Sequence, residues 1–239
     1  MSPILSTVSQ SFAVATTFPK IVTQGLVLNL DAGQQNSYRG SGTTWTDLSG
    51  NGNNGTLTNG PTYSSANGGS IVFDGTNDYV TIPDSNILDI TTSISLESWL
   101  YATKSSGIQN VISKSTSWEN NSYIYPRTDN GWGSAVFYLH TGSGFSTLST
   151  SWPSRNTWHH TIATYDGSFM RIYINGSLSN SKVQSGTITT NNNSLTIGNQ
   201  PAFNEYYGGR VSNAKIYNRA LTAAEVLQNY NALRGRFGV

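Results

Sequence analysis

The chain contains no cysteine, which excludes a disulfide scaffold, thiol catalysis and cysteine-ligated zinc. Charge is scarce as well. Asp, Glu, Lys and Arg make up 10 % of the 239 residues, and the formal net charge is +1. Phosphate recognition needs clustered Lys and Arg, and no basic run occurs, so nucleic acid is not an expected partner. No stretch approaches the ~18 apolar residues of a spanning helix, so no membrane partner is expected. The opening MSPILSTVSQSFAVATTFPK lacks the basic n-region and compact apolar run of a signal peptide. If the protein acts outside a cell, this points to release by lysis, as part of a virus particle.

Ser, Thr, Asn and Gly supply the polarity instead, and the length suits one large β-sandwich that needs neither disulfide nor metal to hold its core. The most regular stretch is 153–179. His160, Ile162 and Thr164 alternate with Thr161, Ala163 and Tyr165, and Met170, Ile172 and Ile174 alternate with Phe169, Arg171 and Tyr173, the period of a strand. Asp166-Gly167 and Asn175-Gly176 tolerate the positive φ of tight turns. The pattern predicts a long hairpin at the middle of an antiparallel sandwich.

Residues 1–24 read as a separate unit with one charge, Lys20. Two readings stand: a frayed tail, or an extended assembly arm whose apolar residues Ile4, Val8, Phe12, Val14, Phe18 and Ile21 add to a neighbour's sheet. The sandwich proper is expected from Gly25 to the C-terminus, with Leu26, Leu28 and Leu30 on a core face. Ala32–Gly60 is expected to be an irregular excursion, and Gly50–Asn54 a turn. A strand, a turn and a strand are predicted over Ser70–Ile82, and further strands at Ser93–Tyr101, Val111–Lys114, Ala135–His140, Phe145–Thr150, Leu195–Asn199 and Val211–Tyr217, with 115–133 as loop. Thr222 and Glu225 form a capping box, and Leu221 and Val226 a hydrophobic staple, for a helix over 222–234 that Gly235 ends. Many short strands and one terminal helix give an all-β, antiparallel jelly-roll sandwich.

Four motifs carry a resemblance: W-H-H-x-x-x-T-Y-D-G with R-I-Y-I-N-G (Trp158–Gly176), W-T-D-L-S-G-N-G-N-N-G-T-L (Trp45–Leu57), F-D-G-x-N-D-Y-V (Phe73–Val80) and N-R-A-L-T-x-x-E (Asn218–Glu225). Together they make residues 25–233 similar to laminin-G-like jelly rolls of the concanavalin A-like lectin/glucanase superfamily, of the kind found in phage virion proteins. The resemblance speaks for fold; this fold hosts lectins, hydrolases, adhesion modules and structural proteins. It also implies calcium. Asp74 and Asp78 could contribute to one site, or could hydrogen-bond their own turn. Where relatives carry two acids in the last strand, this chain has Ser212 and Asn213, which puts the inherited site in doubt. No cofactor is required.

Glycoside hydrolysis usually needs two carboxylates roughly 5 to 9 Å apart. The chain has only Glu97, Glu119, Glu205 and Glu225 as glutamates. None has an acidic residue at i+2 or i+4, and Glu97 reads as isolated. His159 and His160 are adjacent in a strand, point to opposite faces and cannot ligate one metal together. Packing or surface roles are expected for them and for His140. Glycan recognition combines an aromatic platform under the C–H face of a sugar with amides and hydroxyls for its ring hydroxyls. Two stretches offer both: Trp118, Asn120, Asn121, Tyr123, Tyr125 and Trp132, then Phe203, Asn204, Tyr206 and Tyr207. Trp99 and Trp158 lie in strands and read as structural. The expected function is non-catalytic. The leading reading is a virion accessory protein, on capsid or tail, held to other virion proteins by its arm, displaying a sandwich for host or environmental glycans and open to self-association. The rivals are a carbohydrate-binding or adhesion module of a cellular extracellular protein and, third, a glycan-cleaving enzyme.

Overall fold

The computed structural model describes residues 19–115, 121–128, 133–200 and 203–239. Ile4, Val8, Phe12, Val14 and Phe18 of the proposed arm, and Trp118, Asn120 and Trp132 of the first glycan stretch, lie outside the described residues. In chain order come β1 (Leu26–Asp31), β2 (Thr44–Trp45), β3 (Gly55–Thr58), β4 (Thr62–Ser64), β5 (Ser70–Asp74), β6 (Tyr79–Ile82), β7 (Ile94–Ala102) and β8 (Gln109–Ser115). They are followed by β9 (Asn121–Thr128), β10 (Ser134–Thr141), β11 (Gly144–Ser151), β12 (Trp158–Tyr165), β13 (Phe169–Ile174), β14 (Ser177–Val183), β15 (Leu195–Ile197), β16 (Gly208–Tyr217) and α1 (Ala223–Phe237).

The strands form two sheets, ordered β14-β13-β12-β7-β16-β5-β4, with β1 also on β16, and β11-β10-β9-β8-β15-β6-β3-β2. All their pairings are antiparallel. The chain is thus a jelly-roll sandwich. The β12–β13 hairpin is present, with Tyr165 opposite Met170 and Thr161 opposite Ile174, and Asn175 (φ 49°) and Gly176 (φ 80°) make the next turn. It does not sit at the centre. The ten-residue β16 does, because β7 pairs along one side of it while β1 and β5 share the other; β12–β13–β14 leads out to an edge.

Leu28, Leu30, Ile94, Leu96 and Leu100 of the first sheet meet Tyr123, Tyr125, Phe137 and Leu139 of the second in the main core. The outer side of the first sheet is covered by α1, so β7, β12 and β16 are buried on both faces. Phe237 stacks on Trp99 at 4.1 Å between centroids and lies 4.7 Å from Trp158, which confirms the structural role of both tryptophans. The helix opens with the capping box of Thr222 and Glu225, and Leu221 and Val226 share one buried cluster. Gly235 does not end it; the left-handed cap is Gly238, φ 72°. An interior glycine costs about 1 kcal/mol against alanine, and the packing of Phe237 and the ion pair of Arg236 with Asp31 (2.7 Å) carry the helix past it. Leu227 of this helix is exposed, whereas the polar Asn229 is buried.

Ordered attachment begins before Gly25. Side chains grip the main chain at alternate residues: Gln228 donates to Lys20 O (2.7 Å), Val22 N–H donates to Asn229 Oδ1 (2.7 Å), Tyr217 OH donates to Val22 O (3.2 Å), and Arg219 donates to Gln24 O (2.9 Å). Ile21 is half-buried on this strap. The 32–60 excursion is not irregular throughout: Thr44–Trp45 and Gly55–Thr58 add β2 and β3 to the edge of the second sheet, and the turn between them is anchored. The Asp47 carboxylate accepts from Asn29 N (2.8 Å), Ser49 N (2.9 Å), Ser49 Oγ (2.7 Å) and Asn53 N (3.0 Å). Gly50 and Gly52 take left-handed φ of 90° and 75° between these contacts, as the turn requires.

Candidate functional site

The stretch expected to be a loop over 115–133 contains β9, and this overturns part of the predicted glycan surface. Tyr123 and Tyr125 are fully buried core residues. Tyr123 OH donates to Leu88 O (3.2 Å), and the Tyr125 hydroxyl bonds the Thr161 hydroxyl. Tyr207 is equally buried, with its OH on Arg210 O (3.2 Å). Burial pushes all three phenols well up. None offers a ring face to a ligand. Their hydroxyls misled the sequence reading, because a buried Tyr needs only one partner for its OH. Asn121 starts β9. Of the second stretch, Phe203 and Tyr206 are half-buried and Asn204 is exposed, with Tyr206 OH on Asn204 Oδ1 (3.4 Å).

The two stretches are nonetheless brought together, through residues that the sequence did not single out. Glu205, between Asn204 and Tyr206, is buried. Its carboxylate takes a hydrogen bond from Asn110 Nδ2 on β8 (2.6 Å) and pairs with Arg127 of β9 (2.9 Å). Arg127 also donates to Tyr138 OH (2.6 Å), and its guanidinium lies 4.7 Å above the Tyr138 ring. The Tyr138 ring meets Phe145 of β11 at 5.1 Å.

These residues sit on the outer face of the second sheet. Alternation sends Ala135, Phe137 and Leu139 of β10 into the main core, while Val136 and Tyr138 join Ile124 in a separate cluster on the other side. Phe145 is 45 % exposed, directly beside this cluster. Tyr138, Val136 and Ile124 are themselves buried, so what this face offers is the Phe145 ring, joined through Tyr138 and the neutralised Arg127–Glu205 pair to the loop of Phe203, Asn204 and Tyr206. The only sequence signal for it was a lone Arg and a lone Glu, far apart in the chain.

Other candidates resolve differently. Asp74 Oδ1 accepts from Thr76 N (2.7 Å) and Asn77 N (3.2 Å), and Asp78 Oδ2 accepts from Asp74 N (2.9 Å). Ser212 Oγ donates to Gly69 O (2.7 Å) and bonds Arg236, while Asn213 Oδ1 accepts from Lys215 (3.0 Å). These oxygens close a turn and satisfy buried cations, so they do not fit calcium. No group of three or more His, Cys, Asp or Glu gathers as metal ligands among the described residues.

Glu97, read as isolated, is the centre of a buried polar network beneath α1. It meets Lys215 (3.0 Å), His160 (3.3 Å), Asn229 (2.6 Å) and Tyr217 (3.4 Å). Burial alone would push its carboxyl up, but Lys215 and His160 hold it down to about 2. His160 is pushed down by burial, against the pull of Glu97. His159 faces the other way, to Thr157 (2.8 Å) and Ser154, as adjacent strand residues must. His140 Nδ1 lies 3.0 Å from the Thr189 hydroxyl. Glu225 is committed to its cap and to Arg219 (2.6 Å). Glu119 lies outside the described residues. A cleft of about 380 Å³ runs past Gln35, Arg39 and Thr44, and one of about 500 Å³ past Asn51, Asn53 and Asp84; neither has an aromatic wall.

The concanavalin A-like lectin/glucanases superfamily matches residues 74–227, and the chain belongs to that superfamily, among its laminin-G-like domains. Comparison with curated proteins finds no match. Among solved structures, it is similar to the binding domain of Paraclostridial Mosquitocidal Protein 1 (18 % identity, TM-score 0.69, 87 % of this chain and 52 % of that one). Domain 4 of AbnA, a GH43 extracellular arabinanase from Geobacillus stearothermophilus solved with arabinotriose, is similar over 86 % of this chain and 98 % of its own (18 %, TM-score 0.66). The binding domain of botulinum neurotoxin DC, solved in complex with SialylT, matches at 14 % and TM-score 0.69 over 88 % of this chain and 52 % of its own. At these identities the likeness is one of fold. The chain spans about half the length of the two toxin domains.

Proposed function

We propose that the domain is a carbohydrate-binding module that performs no chemistry on its ligand. The glycan lies on the outer face of the second sheet, against Phe145 and the loop of Phe203, Asn204 and Tyr206. The observation that carries the reading is the Tyr138–Phe145 ring pair, with Phe145 45 % exposed, set over an Arg127–Glu205 pair that fixes the polar loop beside it. A half-exposed ring covers the apolar face of a sugar, and Asn204 with the Tyr206 hydroxyl serves its hydroxyls. The superfamily, and the arabinotriose and SialylT complexes of the two similar domains, support a sugar ligand. The described glutamates support the absence of catalysis, since each is committed to a cation, a cap or both.

The test is affinity electrophoresis in arabinan and a glycan array with the full chain. Phe145→Ala and Tyr206→Ala should weaken retention at least tenfold without moving the melting temperature. Retention unchanged in both variants would overturn the site, and release of reducing sugar would overturn the non-catalytic reading.

We further propose that residues 1–24 attach the module to a larger particle, as a virion accessory protein would be. The strap over Lys20–Gln24, held at alternate main-chain groups, supports this, since tension on the segment preceding it would be borne by α1 and β16. Deleting residues 1–18 should abolish incorporation into particles and leave folding and glycan retention intact. Incorporation unaffected by the deletion would favour the adhesion module of a cellular protein instead.

A further inference from the structure

Asn213 and Lys215 lie two residues apart on β16, so their side chains share one face of the first sheet, the face that α1 covers, and both are fully buried. In the register with β7, Lys215 is opposite Glu97 and Asn213 is opposite Trp99. The Lys215 ammonium donates to Glu97 Oε1 (3.0 Å) and to Asn213 Oδ1 (3.0 Å). An amine, a carboxamide and a carboxylate therefore meet at one point. Phe237 and Tyr230 of α1 stack on Trp99 at 4.1 and 5.8 Å between centroids and shield that point from water. Asn229 (2.6 Å) and Tyr217 (3.4 Å) hold the second oxygen of Glu97, which leaves Oε1 aimed at the amine. Asn213 Nδ2 is buried without a hydrogen-bond partner, a position that buried polar atoms rarely occupy.

We propose that Lys215 and Asn213 join in an intramolecular isopeptide bond, with Glu97 as the proton carrier and the charged pair of this structure as the state before reaction. The ammonium passes a proton to Glu97 along their hydrogen bond, and a desolvated lysine amine is a nucleophile. It moves from Asn213 Oδ1 to the adjoining Cγ. The Nζ–Cγ bond forms and the Cγ–Nδ2 bond breaks. Of the three ammonium protons, one stays on the new amide and two leave with Nδ2, carried across by Glu97. Ammonium departs, the carboxylate is restored, and no oxidant or cofactor takes part. The link removes the unpaired Nδ2 and braces the central strand across Ala214. Once the lysine charge is gone, His160, 3.3 Å from Glu97 Oε1, is the cationic partner left to that carboxylate.

The test is the intact mass of the full chain under denaturing conditions, followed by trypsin digestion. The wild type should weigh one ammonia less than its sequence. The peptide Val211–Arg219 should carry that deficit and stay uncut at Lys215, with fragments that place the link between Lys215 and Asn213. Lys215→Arg, which keeps a cation beside Glu97 without the amine, and Asn213→Ala should each show the full mass of its own sequence. In folded Glu97→Gln the linked fraction should fall at least tenfold. The wild-type result stands whether or not these variants fold. A wild type of full mass, cut at Lys215, would show a buried ion pair and nothing more. A deficit that survives Lys215→Arg would be a succinimide, the product of Asn-Gly steps such as Asn175-Gly176, and would refute the link. A bond from Lys215 to Asn229, or to Asn29 opposite it on β1, would overturn the assignment to Asn213.

Discussion

Asn229 of α1 donates from Nδ2 to Glu97 Oε2 at 2.6 Å, while its Oδ1 accepts from Val22 N at 2.7 Å. One buried amide thereby joins the centre of the first sheet to the N-terminal strap and to the helix that covers both. Buried polar groups are costly when left unpaired, so this side chain fixes where the helix lies as well as how firmly.

Asn229→Ala is expected to destabilise the fold by about 2 to 4 kcal/mol, because it strands the Val22 N–H and weakens the hold on a buried carboxylate. Asn229→Asp should cost more, as it sets a second carboxylate beside Glu97. Urea unfolding of both variants measures this. Equal stability of the two would mean that Asn229 acts through shape alone.

The same network makes stability depend on acid. The Glu97 carboxyl falls from an ordinary 4.5 to about 2 in the folded chain, so its contribution is complete above about pH 4.5 and is lost on descent towards pH 2. A shift of that size corresponds to about 3 kcal/mol. His160, pushed below its ordinary 6.5 by burial, acts in the same direction: the unfolded chain takes up its proton first, so stability begins to fall below about pH 6.5. Glu97→Gln should flatten the lower part of the curve, and His160→Gln the upper part, in melting temperatures followed from pH 7 to pH 3.

The alternating strands and the helix start were legible because each rests on local chemistry: alternation in Ile94–Leu100, Asn-Gly at 175–176, the Thr222–Glu225 box; the short β2, β3 and β4 and the polar, exposed β14 were not. The β12–β13 hairpin was found and its place was not, since local period says nothing of which strand collects neighbours on both sides. β9 was hidden by its own amides and hydroxyls, which suit a loop as well as a strand closed by Tyr123 and Tyr125. The buried pairs were invisible for another reason. Glu97 and Lys215, or Arg127 and Glu205, are far apart in sequence, and only sheet order brings them together.

The far end of α1 offers a paired test. Gly235 is not in the left-handed region, and a Cβ there meets nothing within 4 Å. Gly235→Ala should therefore raise stability by about 0.5 to 1 kcal/mol through helix propensity. Phe237→Ala removes the ring stacked on Trp99 and should cost about 3 to 5 kcal/mol. Chemical denaturation of each, with tryptophan emission as the probe, checks both. A destabilising Gly235→Ala would mean that α1 needs a bend at that turn.

Asp47 is the last case, and it separates a motif from its mechanism. The W-T-D-L-S-G-N-G-N-N-G stretch keeps its shape because Asp47 Oδ1 accepts from Asn29 N and Ser49 N, and Oδ2 from Ser49 Oγ and Asn53 N. Every partner donates. Asn at this position would turn an NH2 towards at least one main-chain N–H, that of Asn53, so Asp47→Asn should cost about 2 to 3 kcal/mol, the range for buried polar groups that lose acceptors. It should cost as much as Asp47→Ala or more, since it adds a repulsion where alanine only removes partners. Faster amide exchange at Asn53 and Ser49 would locate the loss in this loop. An Asp47→Asn variant as stable as wild type would show that the glycines and Asn53, whose Nδ2 donates to Val27 O at 2.9 Å, hold the loop without the carboxylate.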